Sequence, residues 1–182
     1  MPQLCYNTHI KRKKYNESVI YMTVSAYERI YNDTIDNYGI ITVSRAKALG
    51  ISTMTLVMLE KRGRLSRLAH GVYRIDKYVP TEYDVYACSV AKVDENAYVW
   101  GPSVLAMKKL CATDPGVVYV ASNRRIRKKL PSNIKVVVGD VSDRIELIEG
   151  IRAQSVEQAI EASRGFIMSE RLEEARNAAT KR

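Results

Sequence analysis

The sequence contains few of the residues that form metal sites, disulfides or catalytic centres. Its 182 residues include three cysteines, Cys5, Cys88 and Cys111, and two histidines, His9 and His70. An odd number of widely spaced cysteines is not a disulfide framework, and a structural zinc site is not expected without a Cys-x-x-Cys pair. We therefore predict no metal and no cofactor, and we interpret Cys88 and Cys111 as inert core thiols.

Long apolar runs are also missing. No stretch is long enough to span a bilayer, and the basic residues 11–14 are not followed directly by the apolar run of a signal peptide. We therefore expect a cytoplasmic protein that does not contact a membrane. The apolar fraction of 46% is ordinary for a folded protein and argues against wholesale disorder.

Motifs for enzyme chemistry are absent as well. The sequence has neither Gly-x-x-x-x-Gly-Lys nor Gly-x-Gly-x-x-Gly, and Gly101-Pro102-Ser103 is not a nucleophile elbow. Asp140, Asp143 and Glu146 could bind Mg²⁺ as in a nuclease, but a solvated loop is favoured because no further ligand converges on them. We predict that the protein is not an enzyme, with a nucleic-acid-processing enzyme as the less favoured alternative.

Positive charge is what the sequence has in excess. Lysine and arginine number 29 against 20 aspartates and glutamates, which gives a net charge of +9. The excess is clustered in residues 41–76 and 122–135, whereas residues 81–121 carry few basic side chains. Clustering favours a polyanionic partner, usually nucleic acid, over a basic surface that only keeps the protein soluble.

The N-terminal region predicts a basic arm followed by a helix. Residues 1–22 contain the arm, and a domain is expected over residues 23–78. Ser25-Ala26-Tyr27-Glu28 has the reciprocal capping pattern of a helix start, and apolar residues then recur at helical spacing as far as Tyr38. Gly39 can adopt the left-handed conformation that ends a helix.

Two short helices are predicted next. Thr42 is a suitable N-cap for a helix over residues 43–49, and Ser52 for a third helix that ends at Arg62. Because Gly50 lies between them, the pair has the geometry of a helix-turn-helix.

A basic hairpin completes the predicted domain. Residues 64–75 alternate as two strands around a turn at Ala69-His70-Gly71. Three helices followed by such a hairpin form a winged helix. Its third helix can enter the major groove of DNA, while the hairpin contacts phosphates or the adjacent minor groove.

Four consecutive motifs make this prediction more specific. They are Gly39-Ile40-Ile41-Thr42, Ala46-x-x-Leu49-Gly50-Ile51-Ser52, Leu59-x-Lys61-Arg62-Gly63-Arg64-Leu65 and Leu68-Ala69-x-Gly71-Val72-Tyr73-Arg74. In this order they resemble the N-terminal domain of the AbiEi antitoxin family, found in type IV toxin–antitoxin and abortive-infection systems of phage defence. The resemblance implies a transcriptional regulator that represses its own operon by binding inverted repeats in operator DNA. It also implies a second domain needed for antitoxicity, and a nucleotidyltransferase-type toxin that the antitoxin need not touch.

The predicted DNA contacts lie on the second helix, the third helix and the hairpin. They are Arg45, Ser52, Thr53, Thr55, Lys61, Arg62, Arg64, Arg67, His70 and Arg74. The arginines and His70 would contact phosphates, and the three hydroxyl side chains would reach base edges. Met54, Val57 and Met58 lie where a base-reading helix is usually polar, so they either meet thymine methyl groups or pack on the second domain.

Residues 81–182 predict a small mixed α/β domain after a linker at 76–80, so the predicted fold class is α+β. Helices are expected at 81–91, 101–110, 155–163 and 170–179, and strands at 117–121, 134–138 and 145–148. Residues 149–160 resemble a strand-to-helix junction of the AbiEi family, with a capping box from Ser155 to Gln158.

A basic segment between the first two of these strands predicts a second nucleic-acid contact. Its cations are Arg124, Arg125, Arg127, Lys128 and Lys129. DNA contact, RNA contact and a solvated edge all remain open for this segment. For the whole chain, the alternative to a DNA-binding autorepressor is a protein-interaction module that neutralises a partner toxin without reading DNA specifically.

Overall fold

The computed structural model describes residues 25–111 and 116–180, so the predicted arm at 1–22, with Cys5 and His9, lies outside the described residues. The fold is α+β, as predicted. Within these described residues, three helices and a three-stranded sheet come first along the chain. Four further helices and a five-stranded sheet follow. No helix among the described residues is long and apolar enough to cross a membrane.

Helix α1 spans Ala26–Thr34 and begins as predicted. The backbone N–H of Ser25 donates to the Glu28 carboxylate at 2.8 Å, and the Glu28 N–H donates to the Ser25 hydroxyl at 3.2 Å. The prediction that the helix extends to Tyr38 is wrong. Tyr38 and Gly39 both have positive φ, and the Gly39 N–H donates back to the Thr34 carbonyl, which turns the chain into a strand.

Helices α2 (Val43–Ala48) and α3 (Thr53–Lys61) form the predicted pair. The Thr42 hydroxyl accepts the N–H of Arg45 and the Ser52 hydroxyl accepts the N–H of Thr55, each at 3.1 Å. Both N-caps therefore supply a partner for an amide that the helix itself leaves unpaired.

The first sheet consists of β1 (Ile40–Thr42), β2 (Leu65–Ala69) and β3 (Val72–Ile75), in the antiparallel order β1-β3-β2. The hairpin β2–β3 is the predicted one, whereas β1 was not predicted. The sheet is covered on both faces. Ile41, Tyr73 and Ile75 pack with α1, α2 and α3, while Ile40 and Val72 belong to a core shared with the C-terminal region.

The second sheet is mixed, with strand order β6-β5-β4-β8-β7. Its strands are β4 (Tyr98–Val99), β5 (Val118–Ser122), β6 (Ile134–Val138), β7 (Ile145–Ile148) and β8 (Ile151–Gln154). The helices of this region are α4 (Asp84–Val93), α5 (Pro102–Met107), α6 (Val156–Ala162) and α7 (Ser169–Thr180). Helix α4 contacts β1 and β2 of the first sheet and β4, β5 and β8 of the second, so it joins the two sheets.

The strand-to-helix junction predicted over residues 149–160 is present, because β8 leads directly into α6, although β8 itself was not predicted as a strand. Glu149 and Gly150, at φ +48° and +77°, form the tight turn of the hairpin β7–β8 just before it. The capping box at Ser155 is only half formed. Its hydroxyl accepts the Gln158 N–H, but the Gln158 amide binds the backbone of Ser142 and Arg144 instead of closing the box.

Candidate nucleic-acid interface

The outward face of α3 is mainly apolar. Leu56 and Leu59 are buried in the helical core, and at 3.6 residues per turn the opposite face carries Met54, Met58 and Lys61. The side chains of Met54 and Met58 are 69% and 40% exposed. The alternative that this face packs against the second domain is therefore wrong for the two methionines, which are open to solvent.

The hydroxyl groups predicted to read bases are used partly within the helix. Ser52 Oγ lies 2.9 Å from Thr55 Oγ1 and also accepts the Thr55 N–H. Thr53 is exposed beside them. The structure thus brings the three predicted residues together at the start of α3, but it engages two of them in the N-cap.

Cations surround the C-terminal end of α3. Lys61 and Arg62 are exposed there, and Arg64 follows at the root of the hairpin. The Arg64 guanidinium lies over the ring of Tyr27, 4.1 Å from its centroid. The Tyr27 hydroxyl donates in turn to Asp76; burial and this hydrogen bond raise the pKa of Tyr27 to about 12. The same bond lowers the pKa of Asp76.

Arg67 and His70 meet at the hairpin tip. Arg67 Nε donates to the Ala69 carbonyl at 3.4 Å, and Arg67 Nη2 lies 3.3 Å from His70 Nδ1. The register of β2 shifts between Arg67 and Ala69, which marks a local bulge. Both side chains are exposed, so the tip presents a guanidinium and an imidazole to solvent.

Two of the predicted DNA contacts are held by carboxylates. Arg45 Nε donates to both oxygens of Asp33, at 3.0 and 3.1 Å, although its side chain stays 60% exposed. Arg74 Nη2 lies 2.7 Å from Asp84 Oδ1, and the Arg74 side chain is only 14% exposed. We therefore leave Arg74 out of the candidate interface, because alternation along β3 directs it toward α4.

The surroundings of Arg74 were not visible in the sequence. Its guanidinium also lies over Tyr78, 4.9 Å from the ring centroid, and 2.6 Å from Cys88 Sγ. Cys88 is buried, and this burial raises the pKa of its thiol. Asp84 and Cys88 lie one turn apart on α4, and no local pattern signals that they would meet a side chain of β3.

The basic segment between β5 and β6 forms an exposed ridge, which we call the basic crossover (residues 123–133). Ile126 and Leu130 anchor it by packing with residues of α4 and β5 such as Val93 and Val120. Its five predicted cations are all exposed: Arg124, Arg125, Arg127, Lys128 and Lys129. Apolar anchors and outward cations therefore divide the segment into two sides.

Two of the three acidic residues considered for Mg²⁺, Asp140 and Asp143, have partners within the protein. Asp143 accepts hydrogen bonds from Tyr98 and, at 2.7 Å, from Gln154 Nε2. Asp140 Oδ1 accepts from the N–H and the hydroxyl of Ser142, both at 2.9 Å. Within residues 25–111 and 116–180, no three His, Cys, Asp or Glu side chains are grouped so that they could hold a metal ion.

A family model covers the region of the candidate interface. Residues 29–75 match the model described as "Transcriptional regulator, AbiEi antitoxin". The matched range begins within α1 and ends with β3, so it includes α2, α3 and the hairpin but not α4. A comparison with curated protein sequences found no match. The AbiEi resemblance carried by the motifs at residues 39–74 is thereby confirmed, and this part of the chain is similar to the transcriptional regulators that act as AbiEi antitoxins.

Proposed function

We propose that the protein is a DNA-binding antitoxin that represses its own operon by binding inverted repeats in operator DNA. The observation that carries this proposal is the exposed α3, with Lys61 and Arg62 at its end and Arg67 at the tip of the neighbouring hairpin. An exposed helix can lie in the major groove of DNA, while a basic hairpin beside it contacts the flanking phosphates. The similarity of residues 29–75 to antitoxin regulators supports the same function.

The test removes two cations of the interface and compares them with two others. Arg62→Ala combined with Arg67→Ala should weaken binding to the DNA upstream of the gene. Each lost phosphate contact should flatten the dependence of log affinity on log salt by about 0.9. Arg152→Ala combined with Arg171→Ala removes the same charge from the C-terminal region and serves as the control. Equal affinity and equal salt slope in the wild type and the first variant would refute the proposal.

Repression itself needs a separate measurement. The wild-type chain should repress a reporter gene that is driven by the upstream DNA. The variant with Arg62→Ala and Arg67→Ala should no longer repress it. Repression that persists in the variant would show that regulation does not depend on this surface.

We propose that the basic crossover extends the DNA contact. Its cations project from the C-terminal region, beyond the matched segment, and Ile126 and Leu130 fix the segment that carries them. Lys128→Glu with Lys129→Glu should weaken binding to a long duplex more than to one that covers only the α3 site. An equal loss on both duplexes would contradict an extended contact, and tighter binding to RNA would assign the ridge to RNA instead.

A second candidate function, neutralisation of a toxin by direct contact, is favoured by a different surface. Phe166 and Met168 are 56% and 70% exposed, and the Phe166 ring stacks edge-on with Trp100 and Tyr119 at centroid distances of 5.9 and 5.4 Å. Exposed aromatic and methionine side chains are typical of the centres of protein interfaces. Phe166→Ser with Met168→Ser should abolish antitoxicity, but not repression, if a nucleotidyltransferase-type toxin binds there.

A further inference from the structure

We infer that α3 reads thymine methyl groups through Met54 and Met58, so that base recognition is largely apolar. This inference rests on the proposed DNA-binding function and specifies what the same surface recognises. Thymine is the base that presents a methyl group in the major groove, and an apolar side chain can distinguish it from cytosine there.

The two methionines lie where α3 would meet DNA. They lie one turn apart on the side of α3 opposite Leu56 and Leu59, which is the side that would face the groove. Their exposures of 69% and 40% leave methylene and methyl groups available for contact. A thioether is at best a weak acceptor, so neither side chain can make the hydrogen bonds that identify guanine or adenine.

The hydroxyl groups near the two methionines have few hydrogen bonds left to offer to DNA bases. Ser52 and Thr55 bind each other and the first turn of α3. Because one O–H of this pair is used in the bond between the two hydroxyls, the pair keeps one O–H donor for a base edge, and Thr53 is the further exposed hydroxyl in this turn. The polar groups available along the outward face are therefore few, and the apolar groups dominate it.

Positive charge surrounds the methionines, which favours DNA over a protein as the partner of this surface. Lys61 lies on the same face, Arg62 follows as the exposed C-cap of α3, and Lys47 is exposed on α2. Helices α2 and α3 together contain a single acidic residue, Glu60. An apolar patch bordered by cations is complementary to bases flanked by phosphates.

The test removes thymine methyl groups without changing base pairing. A duplex enriched by the wild-type protein from a random-sequence pool is prepared with thymine and again with deoxyuridine, and both affinities are measured by fluorescence anisotropy. One methyl group buried in the complex contributes about 0.8 kcal/mol, so each contacted thymine should change the affinity about fourfold. Met54→Ala with Met58→Ala should bind both duplexes with nearly equal affinity.

Two further variants assign the effect to these side chains. Met54→Leu keeps an apolar contact and should retain the preference for thymine. Arg67→Ala should weaken binding to both duplexes by the same factor, because its hairpin contact does not involve the methyl groups. Circular dichroism should give the same spectrum for every variant, since the substituted side chains are exposed.

The outcomes separate this inference from the proposed function. Binding of the wild type with equal affinity for thymine and deoxyuridine overturns the inference alone. A thymine preference that survives in the double methionine variant also overturns it. Failure to enrich any duplex overturns both the inference and the DNA-binding function.

Discussion

Arg67 and Arg74 lie on the two strands of one hairpin, yet their surroundings predict opposite effects of substitution. Arg74 pairs with Asp84 at 2.7 Å, and the two side chains are only 14% and 18% exposed. Breaking a fully buried ion pair costs about 3–5 kcal/mol, and an exposed pair contributes about 0–1 kcal/mol. For this largely buried pair we expect Arg74→Ala to lower the free energy of unfolding by about 2–3 kcal/mol.

Substitution of Arg67 should leave the stability of the fold nearly unchanged and should instead weaken DNA binding. The partners of Arg67 are the Ala69 carbonyl and His70 at the exposed hairpin tip. We expect Arg67→Ala to change the free energy of unfolding by less than about 0.5 kcal/mol, because exposed side chains contribute little. Its loss should instead reduce the slope of log affinity against log salt by about 0.9, the contribution of one phosphate contact.

Two assays on the same variants test this contrast. Urea denaturation followed by circular dichroism gives the free energy of unfolding, and anisotropy at several salt concentrations gives the slope. Asp84→Ala should destabilise the protein as Arg74→Ala does, while Arg74→Met with Asp84→Leu should recover much of the loss. A reduced salt slope with unchanged stability in Arg74→Ala would refute the reasoning and make Arg74 a phosphate contact.

Two further predictions concern the rest of the N-terminal region. Gly39→Ala should cost roughly 2–4 kcal/mol in thermal or urea unfolding because a left-handed φ of +62° is combined with a Cβ only 2.7 Å from Tyr78 Cβ. Gly63→Ala, at φ +69° with nothing within 4 Å, should cost only about 1 kcal/mol; equal losses would contradict a steric cause. Tyr27→Phe should raise the pKa of Asp76 toward its ordinary value, measurable by NMR titration. Because the folded pKa of Asp76 is lowered, the stability lost in Tyr27→Phe should be fully present near neutral pH and should shrink as pH falls through the acid range, and a constant difference would contradict it.

The N-terminal helices could be predicted because their signals are local. Ser25, Thr42 and Ser52 each accept a backbone N–H three residues later, so the sequence around each residue was sufficient to place a helix start. Strand β1 could not be found in the same way. Its three residues pair with β3, thirty or more positions away, and Ile40–Ile41 alone reads equally well as the approach to a helix.

The sequence was sufficient to predict which basic residues lie near the candidate site, but not which of them are free to contact DNA. Basic side chains near α3 and the hairpin were identifiable from the sequence, since they cluster along the chain. Whether an arginine is open to solvent depends on which element covers its side of the strand. Arg74 is covered by α4, and Asp84 meets it only because α4 packs across the first sheet.

The same packing predicts that the winged-helix region depends on the C-terminal region for stability, although the sequence placed a domain boundary at residues 78–81. Ile40 and Val72 are 9% and 3% exposed in a core that includes Ala87 of α4. Exposing two such side chains costs about 3–6 kcal/mol, which is comparable to the whole stability of a small domain.

A fragment of residues 1–80 should therefore unfold at a much lower urea concentration than the full chain and should bind a hydrophobic dye. A fragment of residues 1–95, which retains α4, should recover part of the difference and reduce dye binding, because α4 covers Ile40 and Val72 again. If the shorter fragment unfolds at the same urea midpoint as the full chain, the second face of the sheet contributes nothing and the two regions are independent. If the shorter fragment is less stable, the hairpin that carries Arg67 is held in place partly by the region expected to provide antitoxicity. Substitutions in α4 should then alter DNA binding although α4 itself does not contact DNA.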